Sequence, residues 1–310
     1  MPKLELLIVV LAVATVLWTC AHAQARAADA KPGAGVRIEP IPPAPPNQDQ
    51  YIGFKLMVPW IEGYVRVRFP ENIYSPMGTH FLDNLAPGIE RVSDVKVPAW
   101  KVDETTGALS YAVETKEGIH FSGKAWVEGD VVHLEYRNRN TSGQPQDLGS
   151  QICYDLSTSP NLGEKVTLDY TYAWFDGAYQ SLNETTSPVR DEKFAKNGYN
   201  WVIMLYKEDP ETSLFAAQDQ YPWWVVDQRA DYPIIARETP DKKHLFALTW
   251  DHTVRRLMTN TNIPCLHTDT LHVENLPDGG EKVWKGRVYL MENDPERLLE
   301  RWKADLTPKP

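Results

Sequence analysis

Three cysteines in 310 residues are too few for a scaffold built on disulfides. A hydrophobic core must hold the chain instead, and an apolar content of 42% is enough to form one. Cations are also in short supply, with 32 Lys and Arg against 42 Asp and Glu and a formal net charge of −10. That balance argues against nucleic acid or anionic lipid as the main partner, since both are bound through excess positive charge. No glycine-rich phosphate loop follows a strand and no Gly-x-Ser-x-Gly elbow occurs, so nothing suggests nucleotide use or a nucleophile elbow. Internal repeats are missing, and helical periodicity is nearly so.

Only one apolar run is long, and it stands at the start. Met1 to Glu5 is short and carries Lys3, Leu6 to Trp18 is unbroken, and Ala21 and Ala23 precede a cut before Gln24. This is the layout of a secretory signal peptide over residues 1–23, with an apolar core short for a membrane span. An extracytoplasmic protein, periplasmic or secreted, is expected, with no transmembrane segment after signal removal. Leu17-Trp18-Thr19-Cys20 faintly resembles a lipoprotein box, but Trp18 and Thr19 suit it poorly, so lipid anchoring at Cys20 is the lesser expectation. Cys153 and Cys265 then remain. An even number in an oxidising compartment is expected to give one disulfide, against the alternative of two buried thiols that never meet.

Residues 24–50 have the composition of a Pro-rich linker, ending in Glu39-Pro40-Ile41-Pro42-Pro43-Ala44-Pro45-Pro46, with Val36 and Ile38 alternating as in a short edge strand. From Tyr51 the dominant period is two. Val65, Val67 and Phe69 alternate with Arg66 and Arg68; Val132, Leu134 and Tyr136 share a parity; so do Val166, Leu168, Tyr170, Tyr172 and Trp174. Further runs cover Trp201 to Tyr206, Trp223 to Val226, Leu245 to Trp250 and Val283 to Met291, divided by turns such as Glu128-Gly129-Asp130 and Asp278-Gly279-Gly280. The pattern predicts an all-β protein, a large antiparallel two-sheet β-sandwich over residues 51–292. One helix is predicted in the tail, 293–310. Asp294 is its N-cap, Pro295 takes the first helical position, and Leu298, Leu299, Trp302 and Leu306 form its apolar face.

The stretch from Glu128 through His133, Asn138, Arg139 and Asn140-Thr141-Ser142-Gly143-Gln144-Pro145 resembles a hairpin of galactose-mutarotase-like supersandwiches. That resemblance implies a large two-sheet sandwich of the kind used by sugar epimerases, polysaccharide lyase domains and glycosidase accessory domains. It covers under a tenth of the chain. The family's next segment supplies a catalytic histidine, whereas here Asp147-Leu148-Gly149-Ser150-Gln151-Ile152-Cys153-Tyr154 contains none. The fold is supported by this likeness and the mutarotase activity is weakened.

Polar chemistry concentrates between Trp250 and Glu274. His244, Phe246, Leu248, Trp250 and His252 share one parity; His267 and Asp269 share another, opposite His272 and Glu274. A carboxylate two residues from a histidine on one strand face can fix its tautomer. Three readings stay open. In the first, His252, His267 and Asp269 do acid/base work, Arg255 or Arg256 binds an anionic group, and Trp250 is a sugar platform; proton abstraction beside a uronate carboxylate needs such a set. In the second, His252, His267 and Asp269 hold a divalent metal with His272 as a further candidate, although His272 should face away from His267, no His-Glu-x-x-His spacing supports the set and no other cofactor is implied. In the third, these are rim groups. His133 and His120 read as solvated strand histidines, and His80 as a loop residue.

Eleven Trp and fourteen Tyr are many for this length. Indole faces stack on sugar rings, and Trp223 and Trp224, which cannot both face the core of one strand, join Trp174 as candidate ligand contacts. The leading expectation is therefore a carbohydrate-active protein, lyase-like or epimerase-like. The alternative is a non-catalytic glycan-binding or envelope-associated sandwich.

Overall fold

The computed structural model describes residues 35–43, 52–75, 78–82, 97–162, 168–185, 201–207, 223–225, 228–251, 256–260, 264–269 and 271–306. The expected signal peptide, Cys20 and most of the expected linker lie outside them.

The first strands are β1 (Arg37–Pro40), β2 (Gly53–Met57), β3 (Val65–Ser75), β4 (Gly78–Leu82), β5 (Lys101–Val102), β6 (Leu109–Glu114) and β7 (Ile119–Glu128). Then come β8 (Val131–Asn140), β9 (Gln146–Asp155), β10 (Thr171–Phe175), β11 (Ala178–Ser181), β12 (Trp201–Leu205) and β13 (Trp223–Val225). The series closes with β14 (Ile234–Glu238), β15 (His244–Trp250), β16 (Arg256–Asn260), β17 (Cys265–Asp269), β18 (Val273–Leu276) and β19 (Glu281–Glu292). A single turn, α1 (Leu182–Thr185), and the tail helix α2 (Pro295–Leu306) are the helices among the described residues.

The strands form two sheets. A ten-stranded sheet runs β1-β2-β3-β9-β17-β16-β12-β13, with β4 beside β3 and β18 beside β9. A nine-stranded sheet runs β11-β10-β14-β15-β19-β8-β7-β6-β5. Pairing is antiparallel except where β13 joins β12 in parallel, which corrects the antiparallel expectation at one edge. The expected linker also lends residues to the sheet. β1 pairs with β2 at the edge, the one place where Pro40 leaves no central ladder bond unmade.

Alternation decides which side chains meet. Val65, Val67 and Phe69 of β3, Ile152 and Tyr154 of β9, and Val132, Leu134 and Tyr136 of β8 turn into one buried cluster between the sheets. Phe54, Phe121, Phe246, Trp250 and Trp284 join them, and burying each such side chain contributes about 1.5–3 kcal/mol. Tyr136 of the nine-stranded sheet and Ser150 of the ten-stranded sheet share a hydrogen bond of 2.6 Å across this core.

Strands β14, β15 and β19 carry apolar side chains on both faces. Their second faces, with Ile234, Ala236, Leu245, Ala247, Tyr289 and Met291, form a separate cluster with Leu298 and Trp302 of α2. That is why the helix docks there. Its start is as expected: the Arg297 amide donates to Asp294 Oδ1 at 3.0 Å. Arg301 then forks onto the Asp130 carboxylate at 2.6 and 2.7 Å, tying the helix to the β7–β8 turn, where Gly129 takes φ 63°. Among the described residues no helix is long and apolar enough to cross a membrane.

Candidate functional site

The outer face of the ten-stranded sheet, away from the main core, carries a polar array at β3, β9 and β17, half-buried at its arginines and buried at Cys153, Asp155, Cys265 and His267. Cross-strand register builds it. Arg66 lies opposite Asp155, which lies opposite Cys265; Arg68 lies opposite Cys153, which lies opposite His267, which lies opposite Met258. Because neighbours alternate, turning Val65, Val67, Ile152, Tyr154 and Leu266 into the core turns Arg66, Arg68, Cys153, Asp155, Cys265 and His267 to the other face. The β3–β9 register shifts between Arg68 and Asn72, and Glu71 stands in this irregular stretch.

The groups engage one another closely. Glu71 Oε1 accepts from Arg68 Nη1 at 3.1 Å, and its Oε2 is 3.5 Å from His267 Nδ1. Gln151 Nε2 is 3.2 Å from the same Nδ1. Asp155 Oδ2 lies 3.5 Å from both Arg66 and Arg68, while its Oδ1 accepts from the Ser157 amide at 2.9 Å and hydroxyl at 2.5 Å. His267 is 4% exposed, Cys153 0% and Cys265 6%. Burial lowers the His267 pKa to about 3 and the Arg68 charge pushes the same way, against weaker opposition from Asp155 and the Ile152 backbone. The imidazole is therefore neutral at physiological pH, so its 3.5 Å approach to Glu71 is no ion pair, and Gln151 is the hydrogen-bond partner of its Nδ1. Burial, with Cys265 alongside, pushes the Cys153 thiol well above its ordinary range, so it is no activated nucleophile.

Several expectations need correction. Cys153 and Cys265 are free thiols. They stand diagonally across β9 and β17, with Cys153 facing His267 and Cys265 facing Asp155, rather than as a directly opposed pair. Glu71 and Gln151 approach the His267 ring, while Asp269 stands in β17 opposite Arg256 with its side chain outside the description. A neutral imidazole with so low a pKa is also a weak base and no acid, which moves proton transfer toward the carboxylates. Trp250 is 1% exposed and packs in the main core, with Phe69 at 6.1 Å, so it offers no face to a sugar. Trp174 is 4% exposed, in the cluster beneath α2 beside Tyr179 and Tyr232.

Arg256 is buried on β16, one row beyond His267 on that face. His252 and Arg255 lie outside the described residues. Trp223 and Trp224 stand in β13 opposite Trp201 and Val202, but their side chains are outside the description. His272 lies 3.9 Å from Glu274, His133 stacks on Trp126, and His120 bonds Thr141 at 2.8 Å, all apart from the array.

Of this array, the sequence named His267 as a site residue and Cys153 and Cys265 only as a disulfide pair, and it did not point to Arg66, Arg68, Glu71, Gln151 or Asp155. A signal existed for some of them. Arg66 and Arg68 share a parity, as do Gln151, Cys153 and Asp155, and charged residues on one side of a strand this apolar need partners if that side is covered.

A concavity of about 420 Å³ opens on the outer face of the nine-stranded sheet, lined by Glu114, His120, Ser122, Arg137, Arg139 and Glu281 among others. Of its arginines, Arg137 is engaged, bonding Glu135 at 3.1 Å and Glu281 at 2.9 Å.

Fold and array together define a two-sheet β-sandwich with a charged, partly buried patch on one outer face. The sequence matches no family model and no curated protein. Among solved structures, the chain is similar to a galactose mutarotase-like protein from Clostridium acetobutylicum, at 9% identity over 83% of this chain and 99% of that one, TM-score 0.41. It is also similar to a galactose mutarotase related enzyme from Lactobacillus acidophilus, at 10% identity over 81% and 97%, TM-score 0.42. An aldose epimerase homologue from C. elegans gives 6% identity over 83% and 100%, TM-score 0.41. At these values the likeness carries no statement about chemistry.

Proposed function

We propose that the protein is an exported, carbohydrate-active enzyme whose site is the array on the outer face of the ten-stranded sheet. Export is read from residues 1–23, as above. The observation that supports an active site is the gathering of two half-buried arginines and the half-buried Glu71 around the buried Asp155 and His267 on one patch of sheet. Desolvating that many charges costs several kcal/mol before pairing offsets it, and a sandwich needing only stability would place apolar or solvated residues there.

The chemistry suits a polyol. Planar, multidentate Arg, Gln and carboxylate groups match the alternating donors and acceptors of sugar hydroxyls. Glu71 is the proton-transfer group, as the carboxylate that touches both Arg68 and His267. Arg66 and Arg68, oriented by Asp155, offset negative charge developing beside a uronate carboxylate or a ring oxygen. His267 orients Glu71 and does not itself ionise.

The test is a panel of oligosaccharides and uronate-containing polysaccharides, followed by product chromatography and by absorbance of unsaturated uronate ends. Turnover by the wild type, reduced at least about 100-fold in Glu71→Gln with binding retained, is the expected result. Turnover unaffected by Glu71→Gln would refute the site. Binding without turnover by the wild type would favour the non-catalytic alternative. That reading draws on the concavity of the nine-stranded sheet, near which Trp126 stacks on His133 with Lys124 over its ring.

A further inference from the structure

We propose that Cys153, Cys265 and His267 form a binding site for one zinc-class divalent cation. Their donor atoms, two Sγ and one imidazole nitrogen, already lie within 4.8 Å of one another. Around a tetrahedral zinc, with Zn–S about 2.3 Å and Zn–N about 2.0 Å, such donors stand about 3.5–3.8 Å apart. Side-chain adjustment of about 1 Å closes the set without backbone movement.

Register supplies the preorganisation. Cys153 faces His267 directly across β9 and β17, and Cys265 precedes His267 by two residues on the same strand face. All three donors therefore rise from one patch near the middle of a ten-stranded sheet rather than from loops. Donor type selects the ion, because two thiolates and an imidazole suit zinc and other thiophilic metals but not calcium or magnesium. Arg66 and Arg68 are already paired with Asp155, and Arg68 with Glu71, so a divalent ion would itself offset the charge of the two thiolates. Glu71, 3.5 Å from the imidazole, is an outer carboxylate of the kind that orients metal-bound histidines. Three protein donors also match the count of zinc sites that keep one position for water or substrate. A disulfide would use the same two sulfurs, so the two states exclude each other. Metal binding stands apart from the sugar reading, since its readouts need no sugar.

The test uses the full chain carrying Cys20→Ser, which leaves Cys153 and Cys265 as its only cysteines. The protein is stripped with chelator under reductant, cobalt(II) is added as a spectroscopic stand-in, and zinc is titrated against it beside a chromophoric competitor. A thiolate-to-cobalt charge-transfer band with strong tetrahedral d–d bands is expected, saturating at one ion per chain and displaced by zinc. Cys153→Ser and Cys265→Ser should weaken or abolish the band, and Glu71→Gln should reduce zinc affinity about 10–100-fold. If the serine variants fail to fold, the wild-type band decides alone, because only thiolate ligation produces it. Absence of that band in folded wild type overturns the proposal, as does unchanged zinc affinity in a folded double serine variant. A third overturning result is an intact mass lower by two hydrogens in protein isolated without reductant, with neither thiol open to alkylation until reduction.

Discussion

Gly286 and Trp250 sit opposite each other on β19 and β15, and the indole lies over the glycine. A Cβ at Gly286 would fall 2.7 Å from the indole ring, too close for any carbon contact. Gly286→Ala should therefore destabilise the fold by about 1–3 kcal/mol through overpacking. Trp250→Ala should cost about 3–5 kcal/mol through the cavity it leaves. Denaturant midpoints at constant m-value would measure both. Because the two residues touch, Gly286→Ala combined with Trp250→Phe should cost less than the sum of the single changes; strict additivity would show that the indole does not select the glycine. This pair also explains a misreading. Trp250 shares a parity with His252 and adjoins polar residues, which suggests a rim, but β15 carries apolar side chains on both faces and parity alone does not say which face meets which cluster. The arginines of β3 went unread for a related reason. Arg66 and Arg68 look like a solvated strand face until β9 and β17 are known to lie beside them.

Helix α2 shows what local sequence does carry. Its cap, its first-turn proline and its apolar spacing all fall within one short window, so its position was legible without any tertiary knowledge. Asp294→Ala should cost about 1 kcal/mol, read from thermal or chemical unfolding. The helix is also pinned by Asp130 and Arg301. Burial alone would raise the Asp130 carboxyl, but the Arg301 hydrogen bonds and charge, with Arg297 behind, outweigh it and hold the group below its ordinary range. A carboxylate depressed in the folded state stabilises fully above its unfolded pKa, near 4, and that contribution is lost as pH falls through the lower folded value. The pair is partly exposed and screened, so its worth is about 1 kcal/mol. Asp130→Asn should lower the melting temperature at neutral pH, and the gap to wild type should close as pH falls below the ordinary carboxylate range. A gap that persists in acid would mean the side chain acts through packing instead. The array on the ten-stranded sheet had no such local code. Each of its strands was recognisable from its period, but register between strands far apart in sequence is set by the whole fold, so the meeting of Glu71, Cys153 and His267 was not.

At the scale of the molecule, the order of strands in space departs widely from their order in the chain. β19 is the last strand, yet it lies between β15 and β8 and pairs with both over most of its length. A chain ended after Gly280 would lack β19 and α2, leaving the nine-stranded sheet in two separate pieces and uncovering the cluster of Ile234, Leu245 and Ala247. It should show no cooperative unfolding transition and should be cut rapidly by a nonspecific protease, whereas loss of residues 307–310 alone should change neither. A stable, protease-resistant core in the shortened chain would sink this expectation.

The placement of β19 also governs timing. Synthesis proceeds from the N-terminus, so β8 waits for a neighbour that emerges only after about nine-tenths of the chain has been made. No early intermediate can close the sandwich, and the nascent polypeptide stays open until the ribosome has almost finished. If the chain is exported as proposed, a membrane channel that passes extended chains would find such a polypeptide ready to thread.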